Sequence, residues 1–230
     1  MRKSLNAIKA AFPYTIPVMT GYLFLGMVFG IMLNSKGYHF GWSILMSVFI
    51  YAGSMQFVAV NLMTMAFDPL SAFLITLVVN ARHLFYGISM LKKYSNTGNK
   101  KPYLIMGLTD ETYSILCSTE APEGVNRTSF MFFVTLLNQF YWVAASAAGG
   151  LIGSLFTFNT SGIDFVMTAL FVVIFINQWK SQKEHIPAVI GVGFSLLCLI
   201  LFGPDNFIIP SMAFIVLALT IFRKTIERGA

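Results

Sequence analysis

VVNARHLFYG, residues 78–87, decides how the chain is read. It lies inside an apolar run from Pro69 to Leu91, yet it sets Asn80, Arg82 and His83 almost side by side. In a soluble protein such a cluster would mark a solvated face. The surroundings point elsewhere. The 230-residue chain is 57% hydrophobic and 10% charged, with a mean hydropathy of +0.74. A soluble domain carries about 25% charged residues. Several stretches also exceed the ~18 apolar residues that mark a membrane span. The expected fold is an all-α polytopic membrane protein. No polar or Gly/Ser/Pro-rich linker separates domains, so residues 1–230 are read as one integral-membrane unit.

A formal charge of +6 and a pI near 9.4 would suggest nucleic acid in a soluble chain. Here the cations gather in short connectors, as in cytoplasmic loops, so nucleic acid is not expected as a partner and a lipid bilayer is. MRKSLNAIKAAFPYTIPVMTGYLFLG at the start has no small-residue cleavage site after its apolar run and reads as a retained first span. Cys117 and Cys198 suggest no disulfide framework, and His39, His83 and His185 are too dispersed for a metal site. No cofactor is implied.

Apolar segments fall at 12–33, 42–66, 69–91, 103–118, 130–156, 163–179, 187–203 and 207–222. Eight simple spans would put the loop of Lys92, Lys93, Lys100 and Lys101 opposite an N-terminus carrying Arg2, Lys3 and Lys9, against the positive-inside rule. The conflict disappears if 42–66 breaks at YAGSMQF (51–57) and returns to the side it entered. Counting back from Arg223, Lys224 and Arg228 through Lys180 and Lys183 makes 103–118 non-crossing as well. The reading is six full spans plus two broken or re-entrant segments, with both termini cytoplasmic. Eight simple spans are the alternative. Interrupted segments in both halves of a membrane chain point to a substrate site near the midplane.

Arg82 lies about 13 Å from the nearer end of its segment at the helical rise. A charge at that depth costs about 2.5–3.5 kcal/mol on insertion scales and normally faces a bundle interior or cavity. Asp110 and Glu111 of GLTDETYSIL (107–116) are the acids well inside an apolar segment. One of them is expected to pair with Arg82; spacing leaves open which. The second acid and His83 are candidates for carrying a proton. A static ion pair that only sets helix register is the structural alternative. In YAGSMQF, a broken helix exposes backbone groups able to bind a carboxylate, and Gln56 offers both donor and acceptor. Gly53, Ser54, Gln56, Phe57, Asn80, Arg82 and Tyr86 are therefore the expected substrate contacts, with an apolar side chain among Phe57, Phe85 and Tyr86. Asn138-Gln139 and Asn177-Gln178 read as interhelical hydrogen bonders. The spacing of Gly26 and Gly30, and of Ala145, Gly149 and Gly153, predicts close helix contact.

With AFPYTIPVMTGYLFLGMVFG, YAGSMQF, VVNARHLFYG and GLTDETYSIL in sequence from about residue 11 to residue 223, the chain resembles the AzlC family of bacterial membrane proteins. The resemblance implies the large subunit of a secondary exporter of branched-chain amino acids (valine, leucine, isoleucine) and of methionine, in the inner membrane. It implies proton coupling and a small AzlD-type membrane subunit. The residues themselves agree on one point: no GxxxxGK[ST] is present for ATP hydrolysis. Rival readings are a channel or an exporter of another solute, a purely structural membrane subunit, and an intramembrane protease suggested by GLTD. The protease would need a second buried aspartate, which the sequence does not offer.

Overall fold

The structure, a computed structural model, describes residues 2–66, 68–156, 165, 168–169, 172–173, 175–176, 179–180, 185–203 and 207–221. Asn177-Gln178, Lys183 and the tail cations Arg223, Lys224 and Arg228 lie outside the described residues. Among the described residues every regular element is helical. That is the form in which an apolar segment can satisfy its backbone hydrogen bonds internally. The chain is a polytopic helical membrane protein. It divides into two compact units, residues 1–166 and 167–230.

The first unit contains α1 (Arg2–Ser35), α2 (Phe40–Phe49), α3 (Gly53–Thr64), α4 (Pro69–Asn80), α5 (Arg82–Met90), α6 (Lys101–Met106), α7 (Asp110–Ser118) and α8 (Arg127–Leu155). α1 and α8 are long and apolar enough to cross a bilayer, and they form its central pair. Glycines set their distance. A Cβ on Gly26 would come within 2.6 Å of the Ala145 Cβ, and one on Gly30 would strike the backbone of Ser146, Gly149 and Gly150. Small residues at spacing four let the two backbones touch, which is how van der Waals packing replaces the hydrophobic effect between helices in lipid.

α2 and α3 form a hairpin, with a turn at Ile50–Ala52 in which Tyr51 has a φ of 44°. Its two ends lie together, because the Tyr38 hydroxyl just before α2 donates to the Met63 carbonyl near the end of α3 at 3.0 Å. α6 and α7 form a second hairpin, turning at Gly107–Thr109. Lys100, before α6, donates to Ser129 at the start of α8. Glu120, after α7, faces Arg127 at 3.6 Å. The hairpin therefore begins and ends beside the same end of α8. Both segments read as non-crossing from charge alone are broken and return to the end where they began.

α4 and α5 make a continuous course through the unit but bend by 46° at Ala81. The sequence pattern of 69–91 alone predicts a simple span, without this bend. α4 begins on Asp68, whose carboxylate is bonded by the Ser71 hydroxyl and by the Leu70 and Ser71 backbone N–H groups. Those bonds, the Ser71 hydroxyl foremost, hold the Asp68 carboxyl below its ordinary range.

A buried cluster of Ala11, Met90, Tyr94, Leu104, Leu116, Phe130 and Met131 joins the start of α1, the end of α5, α6, the end of α7 and the start of α8. Lys9, Lys92, Lys93, Lys100, Lys101 and Arg127 flank these same segments. The unit thus has one basic end. In the second unit α9 (Ile186–Phe202) and α10 (Ile208–Ile221) pack together, with Phe194 and Phe214 stacked at 6.0 Å.

Candidate functional site

The two hairpins bring their tips to the bend in the α4–α5 course. Ser54 stands in the first turn of α3, Arg82 opens α5, and Asp110 opens α7. One guanidinium joins all three: Arg82 Nη1 lies 2.5 Å from Asp110 Oδ2, and Nη2 donates to Ser54 Oγ at 2.5 Å. The side chains of Arg82 and Asp110 are 21% and 28% exposed, so the pair is largely withdrawn from solvent. Two helix N-termini, those of α3 and α7, meet the bend between α4 and α5 here, and each opens with N–H groups that no preceding turn accepts. Neither α3 nor α5 has a side-chain cap at that end.

Within the pair, Arg82 Nε and Asp110 Oδ1 are buried and have no hydrogen-bond partner of good geometry, and the Tyr86 hydroxyl lies beside the Asp110 carboxylate. Asn80 Oδ1, two residues before Arg82, is also buried and unpartnered. Buried polar groups are rarely left so. One donor and one acceptor on two paired side chains offer both signs of charge to a ligand.

Glu111 faces a different set of residues. Its Oε2 accepts a 2.7 Å bond from the Tyr22 hydroxyl, which also lies 3.0 Å from Thr109 Oγ1. Thr109 caps α7 by accepting from the Thr112 N–H at 3.3 Å. Thr112 Oγ1 accepts from Asn138 Nδ2 of α8 at 3.1 Å. Helical geometry separates consecutive residues by about 100°, so the two acids point into two environments. One holds a fixed cation and the other holds hydroxyls and an amide.

The remaining expected contacts are distributed as follows. Gln56 is fully buried, with Nε2 donating to Ser47 at 3.2 Å and Oε1 accepting from Trp142 Nε1 at 2.9 Å. Both ends of its amide therefore bind neighbouring helices. Gly53 packs on the Trp142 ring, and Phe57 is fully buried against Phe29. Tyr86 stacks on Tyr113, and the His83 Nδ1 sits 3.2 Å from the Asn80 carbonyl. Phe85 is 72% exposed on the outside of α5. The structure does not bring Phe57, Phe85 and Tyr86 together as one apolar pocket. Sequence reasoning missed Tyr22, Tyr51 and Thr112, since a lone tyrosine or threonine in an apolar run gives no signal of its own. Among the described residues no group of three His, Cys, Asp or Glu could hold a metal.

Residues 17–156, which contain both acids, Arg82, both hairpins and most of α1 and α8, match the family model described as AzlC protein. The chain belongs to the AzlC family. It is 55% identical, over 97% of its own length and 88% of the relative's, to a protein of Bacillus subtilis (strain 168) named branched-chain amino acid transport protein AzlC. It is 44% identical, over 99% of its length and all of the relative, to an uncharacterized membrane protein of Helicobacter pylori (strain J99). It is 22% identical to the inner membrane protein YgaZ of Escherichia coli (strain K12), over 74% and 72% of the two chains. No solved structure matches it. The AzlC match ends at residue 156, so the whole junction of two tips and a bend belongs to the part of the chain that the family model describes.

Proposed function

We propose that this chain is the large subunit of a secondary exporter of branched-chain amino acids and methionine. It works with a small AzlD-type membrane subunit and is driven by inward proton movement. The observation that carries this reading is the junction at Arg82, where unmatched donor and acceptor atoms meet the N-termini of α3 and α7. A zwitterion fits that chemistry. Its carboxylate meets Arg82 Nε and the free N–H groups that open α3, and its ammonium meets Asp110 Oδ1.

The basic end of the first unit supports a cytoplasmic N-terminus in the bacterial inner membrane. The C-terminus is assigned to the same side from Arg223, Lys224 and Arg228. One proton moving inward supplies about 2.3 kcal/mol per 100 mV, enough to hold a useful outward gradient of a neutral zwitterion. The name of the 55% identical relative supports branched-chain substrates. A channel would not need the closed ion pair and would conduct without coupling.

The test is efflux of labelled valine and methionine from preloaded cells lacking native exporters. It compares the chain alone, the chain with an AzlD-type partner, and an Arg82→Ala version of that pair. Efflux is expected from the intact pair and not from the Arg82→Ala pair. A wild-type pair that reaches the membrane but moves neither amino acid would overturn the reading.

A further inference from the structure

We infer that the two neighbouring acids divide the work, and that Glu111, with Tyr22, Tyr51, Thr112 and Asn138, forms a second site that takes up and releases the coupling proton. The inference rests on the exporter reading and goes further, by separating the proton site from the substrate site.

The first observation is charge compensation. Asp110 is paired with a permanent guanidinium, so its charge is balanced without a proton. Glu111 has no ion pair among the described residues, and its carboxylate accepts from a neutral phenol. An uncompensated carboxylate in an apolar bundle must find a cation, and a proton is the smallest available.

The second observation is Tyr51. It holds a φ of 44°, a left-handed conformation that is costly for a non-glycine residue and persists only where its surroundings enforce it. That turn directs the phenol inward. Tyr51 is 3% exposed, and its hydroxyl has no hydrogen-bond partner. The ring lies within electrostatic reach of Glu111, and its hydroxyl faces the hydroxyls of Tyr22 and Thr112. The third observation is Asn138, fully buried, with Nδ2 on Thr112 and Oδ1 unmatched. Two buried, unpartnered oxygens from two different elements thus flank the same carboxylate network. They can receive or relay a proton when Glu111 changes state.

The groups facing Glu111 are accounted for. α1 contributes Tyr22 and the α2–α3 turn contributes Tyr51. α7 contributes Asp110, whose charge is held by Arg82, and α5 also contributes Tyr86. α8 contributes the neutral Asn138, and Tyr103 of α6 is bonded to Gln139. No second cation faces the site among these groups. The proton joins Oε1, the oxygen that Tyr22 does not hold, and leaves from it on the opposite side of the membrane.

The experiment uses proteoliposomes containing the wild-type, Glu111→Gln, Tyr51→Phe or Asp110→Asn pair. Three quantities are read: valine–valine exchange, uphill valine movement under an imposed pH gradient, and valine-driven proton flux reported by a trapped dye. Glu111→Gln is expected to keep exchange and lose both proton-linked readouts. Tyr51→Phe, which removes one hydroxyl, is expected to keep exchange and slow proton-linked movement several-fold. Asp110→Asn is expected to lose exchange as well. Uphill movement retained by Glu111→Gln would overturn the inference. So would loss of exchange in Glu111→Gln that still shows a valine-dependent rise in melting temperature, or movement driven by a sodium gradient and indifferent to pH. A wild-type pair with no exchange of valine or methionine would instead fail the exporter reading itself.

Discussion

Tyr86 of α5 stacks on Tyr113 of α7, with ring centroids 4.4 Å apart and planes 16° from parallel. The stack is the middle rung of a ladder. Arg82 holds Asp110 at the first turns of the two helices, and the Tyr113 hydroxyl donates to Ser89 one turn beyond the stack. Lys93, just past α5, donates to the carbonyls of Leu116 and Thr119 and pairs with Glu120 at 2.9 Å. Contacts advance along both helices in the same direction, so α5 and α7 run parallel and are tied at both ends. A continuous brace of contacts therefore links the Arg82–Asp110 junction to the basic end of the unit.

The Arg82–Asp110 pair should be strongly coupled. Arg82→Gln alone leaves a carboxylate facing unpaired polar groups, and Asp110→Asn alone strands a guanidinium, each worse than removing both charges. A double-mutant cycle on melting in detergent is expected to give a coupling of about 0.5–3 kcal/mol. Additive single-variant losses would show that the pair contributes nothing as a pair.

Gln56 offers a cleaner separation of structure from transport. Its amide bridges Ser47 of α2 and Trp142 of α8, and no part of it reaches solvent. Gln56→Ala leaves the Trp142 indole N–H unpartnered, which costs about 1–3 kcal/mol. The expected result is a lower melting temperature with the valine-to-methionine preference unchanged. A changed preference at unchanged stability would place the side chain in the substrate path.

Much of this architecture was legible in the sequence because membrane segments obey few rules. The lysines of the 92–101 loop made 42–66 non-crossing, the cations at 180, 183 and 223–228 made 103–118 non-crossing, and the hairpins α2–α3 and α6–α7 occupy those positions. Finer detail was hidden for physical reasons. The first break falls at Ile50–Ala52, ahead of Gly53, because Gly53 is needed as a helical residue against the Trp142 ring. The bend at Ala81 is marked by no glycine or proline. Asp110 and Glu111 are adjacent, so only the direction of α7 decides which meets Arg82. Tyr22 reaches Glu111 across 89 residues, a pairing that no local pattern can announce.

The end of α7 gives a pH-dependent prediction. The Lys93 ammonium, by hydrogen bond and then by charge, holds the exposed Glu120 carboxyl below its ordinary range. The stabilisation is present above the unfolded value, about pH 4.3, and is lost as pH falls through the lower folded value. Melting temperature in detergent should drop across that interval, and the drop should be smaller in Glu120→Gln. The same slope in both proteins would assign the acid sensitivity to other carboxylates.

The contact between α1 and α8 allows the sharpest comparison of two glycines on one helix. A Cβ on Gly30 would collide with the backbone of α8, which cannot yield as a flexible side chain does, whereas a Cβ on Gly21 meets nothing within 4 Å. Gly30→Ala must push the helices apart and loosen the Phe29, Phe57 and Trp142 rings that pack beside it. Overpacking of this kind costs about 1–3 kcal/mol, and separating two closely packed membrane helices forfeits the dispersion contacts that hold them. Gly21→Ala is expected to melt as the wild type or slightly above it, since alanine is the better helix former by about 1 kcal/mol. The two variants differ by the same pair of residues on the same helix, so propensity cancels and backbone distance alone separates them. Equal melting temperatures would show that α1 and α8 are not in contact at Gly30.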